Sequence, residues 1–398
     1  MSPSIENHFI ENHFFSEKNL GYPQKITAWW KPLRFHFYHP AKTSRDVLFS
    51  RESFFLIIRS EKNFIGIGEV APIPPLSREW FLPNAREKIV GKLTSITKKI
   101  NSQANDAFST KKCIDCIHKT LDPFPSIAMA LETAWLDILQ GGKRIIFPSK
   151  FCQNKDSIKI NGLVWMGEIK QIELQIKNLL ERRFDCIKMK IGQHNLKEEL
   201  QVISKLRKEN KNLVIRLDAN GSFKTASSAL KNIEKLAPYN IHSIEQPLPP
   251  SFYDKNLFRS MKKEWKTLLK ESPISIALDE ELIALTGEKE RLLENIDAHF
   301  LVLKPSLLGG FLACGDWIEL AKKYNKKWWI TSSLESNIGL NALSQWTYLT
   351  CEKNKSILTQ GLGTGELFYD NFVSPLKLDG KSLFYTQKRW NLSNILPN

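Results

Sequence analysis

The sequence predicts an α/β fold in which a closed parallel barrel follows a smaller α+β domain. Two observations lead to this expectation. After Lys150, eight short β-rich runs alternate with amphipathic helical stretches: SIKING, CIKMKIG, LVIRLDAN, IHSIEQP, ISIALDE, HFLVLKPS, KWWITSS and QGLGTG, all within residues 157–365. Strand–helix alternation at this spacing marks parallel βα units, and eight strands in so short a span favour a closed barrel over an open sheet. Before Lys150 the order differs, with strands first and helices second, as in an α+β domain.

The elements follow in order. KITAWW, LRFHFYH and ESFFLIIRS, between Lys25 and Ser60, read as antiparallel strands. The run from Phe64 to Val70 ends in APIPPLS, where three prolines forbid regular structure. A mostly helical stretch extends from Arg78 to about Gln140, and its last part, PSIAMALETAWLDILQGG, offers Ser126 as an N-cap and Gly-Gly as a stop. Within the barrel, Leu196 to Glu209 and Phe223 to Leu236 read as helices. Glu366 to Asn398 holds no further βα unit and is expected to pack back on the first domain. The expected divisions are therefore an extension over 1–24, the α+β domain over 25–150, the barrel over 151–365 and a C-terminal segment over 366–398.

Composition narrows the class. The chain has 398 residues, 42% hydrophobic and 25% charged, as in ordinary globular proteins. No run of eighteen apolar residues suggests a membrane span, and the N-terminus lacks the basic and apolar regions of a secretory signal. It carries a tandem repeat, IENHF at Ile5–Phe9 and again at Ile10–Phe14, to which no function is assigned. Six cysteines without regular spacing do not form a disulfide framework. Cys113 and Cys116, with His118 nearby, have ligand-like spacing but no second pair, so reduced thiols in a cytoplasmic protein are the preferred reading over a zinc site. The net charge of +15 is spread over helix faces such as Lys262, Lys263 and Lys266, without a nucleic-acid motif. The expected partner is a small anionic molecule drawn to a basic surface, with neither nucleic acid nor membrane. Oligomeric state is not legible.

The polar residues within the strands carry the chemistry. Lys188 and Lys190, two apart in CIKMKIG, share one face, and Ile187, Met189 and Ile191 take the other. On that strand alone, an edge strand with solvated lysines is an equal reading. The next three strands each end in an acid: Asp218, then Glu245 after 27 residues, then Asp279 after 34 more. Barrel active sites are built at these C-terminal strand ends. Three converging carboxylates call for a hard cation, and oxygen-only ligation suits Mg²⁺. Lys304, in LVLKPS, stands one strand further, across the barrel mouth from Lys188 and Lys190.

The order KxK, D, E, D, K resembles the muconate-lactonising subgroup of the enolase superfamily, over nearly the whole chain from about residue 25. The phrases GIGEVAPIPPLS (66–77), INGLVWMG (160–167), SSLESNIGLNALSQW (332–346) and QGLGTGELF (360–368) resemble its o-succinylbenzoate synthase family. The resemblance implies a modified (β/α)7β TIM-like barrel beneath an N-terminal capping domain. It implies Mg²⁺-dependent dehydration of 2-succinyl-6-hydroxy-2,4-cyclohexadiene-1-carboxylate, a dicarboxylate, to o-succinylbenzoate in menaquinone biosynthesis, with Mn²⁺ as a substitute ion. It assigns Lys190 as base and then acid, Lys188 as its support, Lys304 as charge stabiliser, and Asp218, Glu245 and Asp279 as metal ligands.

Ser332, Ser333 and Gly363 to Gly365 are candidates for holding the succinyl carboxylate, with tight turns that need small residues as the equal alternative. Arg216 either joins the charge network or forms a structural ion pair. The loop from Pro72 to Ser77 is expected to close the mouth. The rival activity is an N-succinylamino acid racemase or another epimerase, which also needs two opposed lysines, although the Asp-x-Asp pair of dipeptide epimerases is absent from QGLGTGEL. A silent binding homologue is weaker still, since every charged site residue is present.

Overall fold

The computed structural model describes residues 25–42, 47–102, 116–117, 119–120, 122–192, 195–251, 254–283 and 288–396. The IENHF repeat, Cys113 and His118 lie outside them.

Strands β1 (Ile26–Lys42), β2 (Val47–Ser60) and β3 (Ile65–Val70) form an antiparallel sheet in that order. KITAWW and LRFHFYH, expected as separate runs, make one strand. Pro32 lies within it, opposite Phe54, and is tolerated because β1 is an edge strand whose outer side needs no N–H. The run Phe54–Ile58 is buried at every position because both faces of the sheet are covered. Phe54, Leu56 and Ile58 pack among the helices, while Phe55 and Ile57 pack with Phe35 of β1 and with Phe368 and Phe372 of the C-terminal segment.

Two helices cover the first face, α1 (Ala85–Ser102) and α2 (Pro125–Leu139). All of α2 is buried, since it lies between the cap sheet and the barrel helices. Gly66 and Gly68, alternating on β3, let the sheet approach Ala134 and Ala130, one turn apart on α2. A Cβ at either glycine would overlap the facing carbonyl oxygen. Ser126 is not the N-cap that the sequence suggested. Pro125 occupies the first helical position, so the cap falls on Phe124, which supplies no side-chain acceptor. The acceptor comes from the preceding 3₁₀ turn instead: Glu79 Oε1 receives the Ser126 N–H at 2.8 Å and its hydroxyl at 2.6 Å.

The barrel is a seven-stranded parallel sheet, β5 (Gly162–Val164), β6 (Cys186–Lys190), β7 (Val214–Asp218), β8 (Ser243–Glu245), β9 (Ile276–Leu278), β10 (Phe300–Leu303) and β11 (Lys327–Ile330), neighbours in sequence order. Its outer helices include α3 (Ile169–Glu181), α4 (Leu196–Glu209), α5 (Ala226–Leu236) and α6 (Lys255–Glu271). Further along come α7 (Lys289–Asn295), the short α8 (Pro305–Leu308), α9 (Gly310–Lys323) and α10 (Asn337–Asn354).

Both ends of the sheet depart from expectation. In SIKING, β4 (Ile158–Lys159) pairs antiparallel with the C-terminal hairpin of β12 (Leu376–Asp379) and β13 (Ser382–Tyr385), and the barrel strand begins only at Gly162. QGLGTG closes the barrel through two isolated parallel bridges, Ile160 with Gln360 and Thr331 with Gly361. Gly361 permits this close approach, since a Cβ there would meet the Thr331 side chain. The C-terminal segment also bonds to β1, Tyr38 N–H donating to Leu367 O at 2.9 Å. Among the described residues, no helix is long and apolar enough to cross a membrane.

The glycine contact generates a stability prediction. Gly68→Ala should cost about 1–3 kcal/mol by forcing β3 from α2. Gly91→Ala, on α1 with nothing within 4 Å of its Cβ, should be neutral or slightly stabilising. Thermal midpoints of the two variants check the contrast, and equal midpoints would refute it.

Candidate active site

The site is assembled by strand register. Lys190 pairs with Asp218 across β6 and β7, and Asp218 pairs with Glu245 across β7 and β8, so three charged residues form one row at the strand ends. Asp279 follows β9 directly and Lys304 follows β10. Strand β6 lies between β5 and β7, which removes the edge-strand reading of its lysines. Ile187 and Met189 join the main hydrophobic core, leaving Lys188 and Lys190 on the opposite face.

The charges are paired unequally. Lys188 Nζ stands 2.8 Å from Asp218 Oδ2 and 2.6 Å from Glu245 Oε1. Lys304 Nζ pairs with Asp279 Oδ2. Lys190 instead donates to a neutral acceptor, Asn220 Oδ1, at 2.6 Å, and Asn220 Nδ2 donates to Glu280 Oε1 at 3.1 Å. Burial opposes charge on Lys188, but Asp218 and Glu245 outweigh it and hold the ammonium above its ordinary range. Burial likewise disfavours charge on Asp218, yet Lys188 and Lys190 bring its carboxyl down to about 2. Glu245 is pushed well up by burial and by Asp218. Lys190 is lowered, by burial first and by the Lys188 charge, against the pull of Asp218.

These groups face a cavity closed partly by the cap. Lys188, Lys190, Asp218, Asn220, Glu280 and Lys304 line its charged floor. Ile73, Pro74, Pro75 and Leu76 of the cap loop, with Trp165, Leu307 and Leu334 of the barrel, line an apolar side. Ser332, Ser333, Gly363 and Thr364 line a small-residue end. Ser332 and Thr364 hydroxyls bond each other at 2.6 Å, whereas the buried Ser333 Oγ has no hydrogen-bond partner.

Two candidates sit elsewhere. Gly365 lies off the cavity, beside Asn337 and Leu340. Arg216 points into the barrel below the row, its guanidinium 4.0 Å over the Trp329 ring and its Nη1 bonded to Thr359 O at 2.9 Å. It is held by a π face and a carbonyl; burial opposes its charge and the nearby Glu245 favours it, which ties it to the row without a direct ion pair.

The donor set fits a hard cation by its chemistry. The three acids offer only oxygen, and Glu245 Oε2 and Asp279 Oδ1 are buried without a hydrogen-bond partner. In this arrangement ammonium groups neutralise the acids, and among the described residues no three His, Cys, Asp or Glu side chains are gathered closely enough to hold an ion.

The sequence reading passed over Asn220 and Glu280, although both adjoin residues it chose. Asn220 lies two beyond Asp218, and Glu280 directly follows Asp279. A row of acids such as DEE does not itself say which member faces which partner.

The family described as "Enolase C-terminal domain-like" matches residues 171–384. An o-succinylbenzoate synthase of Desulfotalea psychrophila is 36% identical over 368 residues, covering 86% of this chain and 95% of its own length. The solved structure of MenC from Desulfotalea psychrophila superposes with a TM-score of 0.74 at 33% identity, covering 90% of this chain and 99% of that one. A dipeptide epimerase of Enterococcus faecalis, solved with Mg and the dipeptide L-Leu-L-Tyr, also reaches 0.74 at 18% identity, covering 93% and 99%, a likeness of fold alone.

The unequal pairing of the two β6 lysines can be read in stability. In chelator-treated protein, Lys188→Met leaves two buried carboxylates without their shared cation and should cost about 3–5 kcal/mol. Lys190→Met removes a bond to a neutral amide and a charge that Lys188 still supplies to Asp218, and should cost less, about 1 kcal/mol. A thermal midpoint for Lys190→Met at or below that of Lys188→Met would contradict the assignment.

Proposed function

This chain belongs to the enolase superfamily and, within it, to the o-succinylbenzoate synthase family; we propose that its cavity converts 2-succinyl-6-hydroxy-2,4-cyclohexadiene-1-carboxylate to o-succinylbenzoate with the residues assigned below. The reaction is a dehydration, the work of a carbon–oxygen lyase, and would serve menaquinone biosynthesis in the cytoplasm. The observation that carries the residue assignment is the free hand of Lys190. Of the three lysines lining the cavity, it alone has a neutral hydrogen-bond partner.

Asp218, Glu245 and Asp279 are the proposed ligands of Mg²⁺, or of Mn²⁺ in its place. Bound there, the ion supplies Lewis-acid stabilisation of negative charge on the ring carboxylate. Lys190 takes the proton from the carbon bearing that carboxylate, the electron pair moves towards the neighbouring carbon, and the C–O bond to the hydroxyl breaks. The same ammonium then returns its proton to the departing oxygen, so that water leaves and the ring becomes aromatic. Burial favours the neutral amine that the first step needs. Lys188, fixed between two carboxylates, stays charged and supports the row. Lys304 faces the ring from the opposite side as a cation, opposing charge that builds during proton removal. We assign the succinyl carboxylate to Ser333, Ser332 and Gly363; the buried Ser333 hydroxyl without a hydrogen-bond partner and their shared cavity wall support this reading.

Two measurements test this reading. The cyclohexadiene substrate should be preferred over an N-succinylamino acid by orders of magnitude in kcat/KM. Lys190→Met should lose about 10²–10⁴-fold in dehydration while remaining folded. A preference for the amino acid would assign the site to racemisation. The metal requirement is separate: exhaustive chelation should abolish turnover, and Mg²⁺ or Mn²⁺ should restore it. Full activity in chelator would remove the ion from the scheme.

A further inference from the structure

Behind the apolar end of the cavity, a buried ion cluster joins the cap to the barrel. Arg51 of β2 is 5% exposed and makes no contact with the charged row. Its Nη2 donates to Ala71 O, at the root of the cap loop, and its Nη1 to Ser333 O, on the barrel wall. Burial opposes its charge, and Glu335 and Glu69 lie near enough to offset part of that cost.

Glu335 is itself a junction. It accepts the Ser333 N–H at 2.7 Å and the Ser306 hydroxyl at 2.5 Å, two residues beyond Lys304. Between the two clamped atoms, Leu334 has φ +63°, a left-handed backbone that costs a branched L residue energy unless its surroundings impose it. Here they do: the carbonyl before it is held by Arg51, and the carboxylate after it bonds back to Ser333 N–H. The cap loop is comparably stiff, with Ile73 N–H on Ser77 Oγ at 2.6 Å and Leu76 N–H on Ile73 O at 2.7 Å. It hangs from Ala71 as a unit. Leu334 and that loop face the same cavity and share one hydrophobic cluster.

We propose that Arg51, a residue that touches no reacting group, is a positioning residue for substrate choice. By holding the Ala71 and Ser333 carbonyls at once, it fixes the gap between the cap loop and Leu334, and so which acyl tails fit beside the ring. The inference rests on the reading of the cavity given above. A planar guanidinium spans two divergent carbonyls, whereas an ammonium on a flexible stem does not. Arg51→Lys therefore keeps the charge and loses the span.

The test uses the full-length protein with Mg²⁺ and two substrates: the succinyl compound, and an analogue whose tail is an acetyl group. For Arg51→Lys, KM for the succinyl compound should rise roughly tenfold with kcat within about threefold, and kcat/KM for the acetyl analogue should stay within about twofold. Glu335→Gln, which preserves volume, should shift the same discrimination by a smaller factor, and it serves if Arg51→Lys does not fold. An equal loss of kcat on both substrates, or unchanged discrimination, overturns the proposal. If wild-type protein turns over neither compound, the functional reading fails by itself, and amide hydrogen exchange then decides the positioning role. The amides of Ile73, Leu76 and Ser77 and those of 333–336 should exchange faster together in Arg51→Lys, with 55–58 of β2 unaffected. Acceleration of one loop alone, or of neither, refutes it.

Discussion

Three lysines and four buried carboxylates, Asp218, Glu245, Asp279 and Glu280, gathered at one end of a barrel are the constraint on which the remaining structure depends. Removing such charges from water costs several kcal/mol each unless they are paired and hydrogen-bonded. The register of β6, β7 and β8 supplies the pairing, since Lys188 reaches two acids on neighbouring strands at once. Register alone does not keep water out. That falls to the cap loop and to the wall containing Leu334, so the cap must be fastened firmly to a barrel that it does not share strands with.

The fastening uses buried carboxylates against helix N-termini. Glu69 of β3 accepts the Ser336 and Gly339 N–H groups, each at 2.9 Å, at the start of α10. Glu132 of α2 does the same for α9, accepting from Phe311 and Leu312. Each satisfies donors that a helix start leaves unpaired, and each places negative charge at the positive end of the helix dipole. Gly310 makes room for the second contact, because a Cβ there would overlap the Glu132 carboxylate. The burial this requires is felt by the acid itself, whose carboxyl rises to about 8 against the pull of those same N–H groups. Cap and barrel are thus joined by polar contacts that work only in one docked position, which is what a narrow cavity between them demands.

Much of the catalytic end was legible in the sequence because it obeys two periods. Alternation on a strand puts Lys188 and Lys190 on one face, and the βα repeat brings Asp218, Glu245, Asp279 and Lys304 to one level. Both periods are local, so they survive in a single chain read without its fold. What escaped depends on partners far along the chain. The continuity of β1 through Pro32 requires knowing that the strand is at an edge. The cap of α2 comes from Glu79, 47 residues earlier. SIKING looked like a barrel strand because its composition is right, but its first residues answer to a hairpin more than 200 positions later. QGLGTG was picked out as the last barrel position, but it closes through two isolated bridges and not as a regular strand.

The same division separates the two halves of the chemistry. On the proposed assignment, proton transfer depends on side chains set by strand ends. Recognition of a tail depends on walls set by Arg51, 282 residues from the carbonyl it holds at Ser333. A change in that long-range clamp can alter what enters the cavity while leaving the charged row in register, because no member of the row touches it. The row and its walls can therefore diverge independently, and identical lysines do not by themselves select a substrate. On the proposed assignment, the lysines on both sides of the mouth serve removal of a proton beside a carboxylate. What happens next depends on whether the neighbouring carbon bears a leaving group, and the walls determine which such molecule is admitted.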